Sequence, residues 1–212
     1  TATPGWSAGK IGAGAYTFSG LDWAEAVGSP LNGDASFSIS WWMNTLQGNK
    51  DAGIISSDPN SGARFMIWRQ TSAIYAASTS LLAGSRFLND GQWHHYALTK
   101  EDGVEWNLYR DGIQVDTNNT AALSFVQGNG PLRLARHANA AESARWPGAL
   151  DDVALWNEAV PAQTVALMHG LGKFMGTVVN DPAIDTVRNV FDAGPGSWDV
   201  AGDQTWAYAT AA

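Results

Sequence analysis

The sequence predicts an all-β domain, and three observations carry that prediction. The first is the segment Asp90 to Asp116, DGQWHHYALTKEDGVEWNLYRDGIQVD, which contains two adjacent antiparallel strands and both of their turns. Trp93, His95, Ala97 and Thr99 alternate with His94, Tyr96, Leu98 and Lys100, a two-residue period that fits a pleated strand and not a helix. Glu101-Asp102-Gly103 reads as a turn. Val104, Trp106 and Leu108 then alternate with Glu105, Asn107 and Tyr109, and Asp111-Gly112 tolerates the positive φ of a tight hairpin before a strand from Ile113. The second observation is Phe37 to Asn44, FSISWWMN, in which Phe37, Ile39, Trp41 and Met43 share one face and Ser38, Ser40, Trp42 and Asn44 the other. The third is composition: 15% of the 212 residues are charged and 23 are glycine, so helix-forming Glu and Lys are scarce and turn formers abundant.

The remaining elements follow in order. Gly9 to Val27 reads as an opening strand pair, with Tyr16 and Phe18 alternating before a Ser19-Gly20 turn. Gly48 to Gly62 is polar apart from Ile54-Ile55, which predicts a short strand at Gly53 to Ser56 between two loops. Arg64 to Gln70 and Ala73 to Ala77 read as a hairpin. Pro131 to Arg136 and Gly148 to Asn157 (GALDDVALWN) are two further strands, separated by a polar, Ala-rich loop. Pro161 to Leu171 is the one helix: proline suits its first turn, Val165, Leu167, Met168 and Leu171 give a short apolar face, and Gly170 or Gly172 can end it. Beyond it, Ile184 to Phe191 and Trp198 to Ala209 read as extended segments around a Gly-Pro turn.

A chain of this length forms one β domain with a substantial core. The net charge of −8 and a pI near 4.7 argue against a nucleic-acid partner and against docking on anionic lipid. With no cysteine there is neither a disulfide nor a thiolate metal site, which suits a bacterial exported protein. No apolar run approaches the roughly 20 residues of a membrane span, and the start at Thr-Ala-Thr-Pro reads as a processed or trimmed product. The 11 tryptophans leave two readings open: a sugar- or protein-binding face, or indoles that plug the edges of a wide sandwich.

The order of GKIGAGAYTFSGLDWAEAV, FSISWWMN, DGQWHHYALTKEDGVEWNLYRDGIQV and GALDDVALWNEAV, the last followed by the short helix, resembles the laminin-G-like jelly roll of the concanavalin A-like lectin and glucanase superfamily. The resemblance spans roughly Gly9 to Leu171. It implies a two-sheet antiparallel jelly-roll sandwich over residues 1–172, with 173–212 a C-terminal extension whose strands pack on the same domain. It also implies a structural calcium ion, with Asp22 in SGLD and Asp151 in LDDV at the matching motifs; Asn49 and Asp51, in the polar loop after FSISWWMN, are weaker candidate ligands. Hard oxygen ligands from separate loops suit Ca²⁺; the alternative is that these acids are ordinary solvated turn and edge residues.

A catalytic reading finds little support. Hydrolases of this superfamily carry alternating carboxylates on one strand, and the nearest string here, Glu101-Asp102-Gly103-Val104-Glu105, straddles a turn that is expected to scatter them. Asp151 and Asp152, consecutive on a strand, are expected to face opposite ways, as are His94 and His95, for which a structural role is expected. The chain therefore reads as a non-catalytic protein. For ligand binding, Trp42, Trp68 and Tyr109 are candidates on a concave sheet where sugars stack on rings, and Arg136 and Trp146 are candidates in a rim loop with His137, Glu142 and Arg145. The opposing expectation is that loops or the C-terminal extension cover Trp42 and Trp68. Two functions follow: a secreted or cell-surface carbohydrate-binding module, or a structural or adhesive extracellular subunit that contacts other proteins or assembles with itself through its C-terminal extension.

Overall fold

The two-residue alternation of the sequence folds into two stacked antiparallel sheets. A computed structural model of the chain describes residues 5–11, 14–26, 31, 35–46, 52–57, 65–68, 73–76, 79–82, 87–119, 131–136, 145–171, 188–189 and 206–210. In the first sheet the strand order is β1 (Gly5–Ser7), β2 (Ala15–Ser19), β13 (Pro147–Trp156), β4 (Phe37–Asn44), β9 (His94–Glu101), β10 (Glu105–Arg110) and β11 (Ile113–Asn118), and β14 (Arg188–Asn189) also pairs with β13. The second sheet runs β15 (Trp206–Thr210), β3 (Asp22–Ala26), β12 (Leu132–Leu134), β5 (Gly53–Ser57), β6 (Phe65–Trp68), β7 (Ala73–Ala76) and β8 (Thr79–Leu82).

Between the sheets lie the side chains that the alternation assigns to the core. Phe37, Ile39, Trp41 and Met43 of β4 and Tyr96 and Leu98 of β9 meet Ala24, Ile55, Ile67, Leu132 and Leu134 from the second sheet. Trp41 stacks on Tyr96 with ring centroids 5.6 Å apart, and Phe37 meets Trp106 edge-on at 5.6 Å. At the β10–β11 hairpin, Asp111 and Gly112 both have positive φ, 52° and 78°, the twist that a two-residue hairpin turn requires.

Three details depart from the sequence reading. The opening pair is no hairpin: β2 joins the first sheet and β3 the second, so Ser19 to Asp22 crosses between them, and β2 pairs instead with β1 and β13. Asp151 and Asp152 do not simply alternate. Asp151 pairs with Trp42 and Ala154 with Ser40, three residues against two, so β13 carries a bulge in which Asp152 has φ 48°. The bulge resets the phase of the strand and turns Leu150, Val153 and Leu155 inward together. Finally, Glu101 and Glu105 are register partners across their turn and not scattered by it, although they flank an exposed hairpin tip.

Helix α1 (Ala162–Leu171) lies on the outer face of the first sheet. Its Val165 and Met168 pack with Val160 onto Ala97, Tyr109, Ala154 and Trp156, while Leu167, assigned to the apolar face by its spacing, is 59% exposed. Ser38 of β4 anchors the approach to the helix: its hydroxyl donates to the Glu158 carbonyl at 2.8 Å and accepts from the Val160 amide at 2.8 Å. The helix backbone also comes close to the hairpin turn. A Cβ at Gly112 would stand 3.2 Å from the Cα of Ala166.

His95 sits under this helix, with its ring 5.2 Å from that of Trp42 and 6.2 Å from that of His169. Burial pushes its pKa down to about 4, the charge of His169 adds to the shift, and Asp111 opposes it. Its Nδ1 is buried with no hydrogen-bond partner.

Two outcomes are expected. An unfolded histidine titrates near 6.5 and this one near 4, so the unfolded state holds more protons between those values. Stability is therefore full above pH 6.5 and falls as pH drops toward 4, by on the order of 3 kcal/mol from this group. Urea unfolding from pH 7 to pH 4 should show that slope, and H95Q should flatten it. Gly148 backs onto the buried indole of Trp146, where an added Cβ would stand 2.2 Å from Cζ2. G148A should lower unfolding free energy by about 1–3 kcal/mol, as overpacking of a filled core does.

Candidate functional site

Helix α1 divides the outer face of the first sheet into a covered half and an open half. Two of the aromatic residues proposed from the sequence lie in the covered half. Trp42 is 3% exposed, with the His95 and His169 rings and the Lys10 ammonium, 5.0 Å from its ring centre, packed around it. Tyr109 is buried beside the helix, and burial pushes its phenol pKa up while a hydrogen bond with Thr99 opposes the shift. Trp146 is buried between the sheets near Phe18, at 6.5 Å. These three indole and phenol rings are therefore core material and not a stacking platform. Trp68 lies on β6 opposite Gly53 and Ala73, and its side chain is outside the described residues.

Arg136 belongs to a different place. On the second sheet its Cζ stands 4.2 Å from the ring centre of Trp23, and that of Arg145 stands 4.4 Å from the same ring. The Arg145 guanidinium also donates to the Leu21 carbonyl, and next along the sheet Arg133 bridges to Glu25 at 2.8 Å. Arg145 is 2% exposed, so this cation–π group braces the corner where β3 begins.

Asp22 and Asp151, the two proposed calcium ligands among the described residues, stand apart. Asp151 accepts amide protons from Lys10 at 2.7 Å and Ile11 at 2.8 Å on Oδ2, and from Asp152 at 2.9 Å on Oδ1. A carboxylate so surrounded by N–H donors clamps the amino-terminal segment to β13. Asp22 is fully buried, and its Oδ1 accepts from the Ser19 amide at 2.7 Å and hydroxyl at 2.5 Å, while its Oδ2 has no partner. Ser19 pairs with Pro147, four residues along β13 from Asp151, which is roughly 13 Å at the strand rise. Asn49 and Asp51 lie outside the described residues, as do His137 and Glu142. Among the described residues no group of three His, Cys, Asp or Glu is placed to hold a metal ion.

His94 is a structural residue at the rim. Its Nδ1 lies 2.7 Å from Asp111 Oδ2 and its Nε2 3.2 Å from Asp90 Oδ2, and the His95 amide donates to Asp111 Oδ1 at 3.0 Å. This network ties the 90–92 turn to the β10–β11 hairpin.

The open half of the sheet holds the candidate site. A shallow cleft of about 530 Å³ is lined by Ser7, Ala8, Thr17, Asn44, Thr45, Leu46, Trp93, Pro147, Gly148 and Ala149. Its floor is a straight row across the strands: Gly5 pairs with Thr17, Thr17 with Ala149, and Ala149 with Asn44, while Met43 pairs with His94 and so leads to Trp93. Thr17, Ala149 and Asn44 face outward because their neighbours Tyr16, Phe18, Leu150 and Met43 face the core. The four strand spacings from β1 to β9 make the row about 19 Å long. The Ser7 and Thr17 hydroxyls share a hydrogen bond of 2.8 Å, and Asn44 donates to the Gly91 carbonyl at 2.8 Å. Gly91, with φ 75°, donates in turn to the Thr45 carbonyl at 3.1 Å, and the Thr45 hydroxyl donates to the Pro147 carbonyl at 3.0 Å. The wall that carries Trp93 is thus held by backbone as well as side chain. None of these lining residues was singled out as a site by sequence reasoning. The available signal was the polar face of FSISWWMN ending in Asn44, followed by a tryptophan just ahead of the next strand.

Comparison with known proteins agrees with this architecture. The family model Laminin_G_3, of the concanavalin A-like lectin/glucanases superfamily, matches residues 18–166. A rat protein, Sushi, von Willebrand factor type A, EGF and pentraxin domain-containing protein 1, is 28% identical over 129 residues; the match covers 57% of this chain and 3% of that much longer protein. Domain 4 of AbnA, an extracellular GH43 arabinanase from Geobacillus stearothermophilus solved with arabinotriose, superimposes with TM-score 0.67 at 16% identity, over 80% of this chain and 82% of that one. A candidate carbohydrate-binding protein from Bacteroides ovatus superimposes with TM-score 0.61 at 12% identity, over 92% and 59% respectively. At such identities these solved structures establish a shared fold. Among the described residues no helix is long and apolar enough to cross a membrane.

Proposed function

The chain belongs to the concanavalin A-like lectin/glucanase superfamily, and from that membership and the open cleft we propose that it is a non-catalytic carbohydrate-binding module of a secreted or cell-surface protein. The observation that carries this reading is the row Thr17, Ala149 and Asn44 ending at Trp93. Sugar rings present hydroxyls along their edges and C–H patches on their faces. A shallow floor of small and hydroxyl-bearing residues with one indole at its end meets both. The jelly roll solved with arabinotriose, and the one described as a candidate carbohydrate-binding protein, support the same reading.

A hydrolytic role would need two carboxyl groups held roughly 5 to 9.5 Å apart around a glycosidic bond. None of the described residues that line the cleft is acidic, which favours binding over cleavage. The extracellular assembly reading draws on the C-terminal extension, yet β15 pairs with β3 of its own chain over Trp206 to Thr210, which favours the binding module.

The structural calcium ion, proposed on the resemblance, is best supported at Asp22, whose buried Oδ2 has spare acceptor capacity, and not at Asp151. There it would tie down the crossing between the sheets. Going from chelator to excess calcium should then raise the melting temperature of the wild type and of D151N but not of D22N. Equal melting temperatures of the wild type in chelator and in calcium would remove the proposal.

For the binding reading, W93A should weaken affinity for a bound glycan at least about tenfold, a loss near 1.4 kcal/mol, with little change in melting temperature. W42A should instead lower stability by about 3–5 kcal/mol, as removal of a buried indole does. Glycan affinity unchanged in W93A would refute the cleft as the site.

A further inference from the structure

Building on the carbohydrate-binding reading, we propose that the cleft selects neutral glycan chains and rejects those carrying carboxylate or sulfate groups. Among the described residues that line the cleft there is no Lys, Arg or His, and no Asp or Glu. The polar groups they offer are the Ser7 and Thr17 hydroxyls and the amide of Asn44, while the buried Thr45 hydroxyl is bonded to the Pro147 carbonyl. One Asn44 amide N–H is committed to the Gly91 carbonyl, and the amide keeps a second N–H donor and an acceptor oxygen. Such a set can exchange hydrogen bonds with sugar hydroxyls. It offers an anionic group no counter-charge.

Recognition of a sugar acid relies on the bidentate fork of arginine or the point charge of lysine. Two described lysines of this sheet are engaged elsewhere: the Lys10 ammonium lies over Trp42, and that of Lys100 is bonded to the Ala35 carbonyl and to Asp102. Arg133, Arg136 and Arg145 belong to the second sheet, around Glu25 and Trp23. A carboxylate lowered onto Ala149 and Pro147 would lose hydration without a partner in return. The field of the whole molecule acts in the same direction, because a net charge of −8 repels a polyanion before contact. With a row about 19 Å long, the cleft accommodates several consecutive sugar units, so the discrimination applies to a chain and not to one residue.

The test is affinity electrophoresis and calorimetry of wild type, W93A and T17K against two sets of polymers, at low and high salt. The neutral set is arabinan, galactan, xylan, mannan and β-glucan; the acidic set is polygalacturonate, alginate, hyaluronan and heparin. Melting temperatures establish that each variant is folded. The expected result is W93A-sensitive binding of at least one neutral polymer, changed less than about twofold by salt because no charge pair is screened, and no retention by the acidic set. T17K should lose neutral-polymer affinity. Binding of an acidic polymer that W93A abolishes and salt weakens would overturn the selectivity and leave the cleft as the binding site. Binding that survives W93A, or no binding to either set, would overturn the carbohydrate site itself and the selectivity with it.

Discussion

The site depends on the Asp151 carboxylate and the bulge that follows it. Three backbone amides, of Lys10, Ile11 and Asp152, converge on its two oxygens. Charge-assisted bonds of this kind are roughly twice as strong as neutral ones, and these hold the segment after β1 against β13 at the centre of the sheet. The bulge at Asp152 lets one strand serve two purposes. Ahead of it Ala149 faces the open cleft; beyond it Ala154 and Trp156 face the helix, while Leu150, Val153 and Leu155 keep their places in the core. A strictly alternating strand would have turned Val153 and Leu155 outward.

From that arrangement the two halves of the outer face acquire different chemistry. Where α1 lies, even polar outward residues are buried, and they survive there because they are bonded, as Ser38 is to Glu158 and Val160, or neutral, as His95 is at ordinary pH. Where the helix ends, the same sheet presents small and hydroxyl-bearing residues with Trp93 at one side. The binding surface is thus what the helix leaves uncovered. The lack of charge among its described residues is in keeping with ionic groups that serve as braces at corners and turns, such as His94 between Asp90 and Asp111 or Arg145 against Trp23.

The fold was legible in the sequence because it rests on local patterns. FSISWWMN became β4 with the predicted faces, and the hairpin turn at Asp111-Gly112 adopts the positive φ that its residues tolerate. The jelly-roll resemblance, drawn from four stretches of sequence, is matched by the family model over residues 18–166. The site was less legible because it depends on which face is covered. Alternation assigns Trp42 and Tyr109 to the face away from the core, correctly, but a two-residue period carries no sign that a helix more than fifty residues later will close over them. Trp146 was misread for another reason: it stands at the entry to β13 and points inward, where the small Gly148 makes room for its indole. At Asp151 the motif gives a candidate cation ligand, and the structure adds what the motif does not carry, three backbone amides on its two oxygens. The interrupted spacing from Leu150 to Val153 was a visible sign of the bulge, in that core residues three apart cannot sit on one unbroken strand face.

The most direct test of this account is a nitrogen–proton NMR titration of the labelled protein with a short neutral oligosaccharide, following backbone amides and indole N–H groups. The account predicts concentration-dependent shifts that cluster on Ser7, Thr17, Asn44, Ala149 and the Trp93 indole, with the Trp42 indole and α1 unmoved. Shifts centred instead on Trp23 and Arg136 of the second sheet, or on the helix and the residues beneath it, would contradict it.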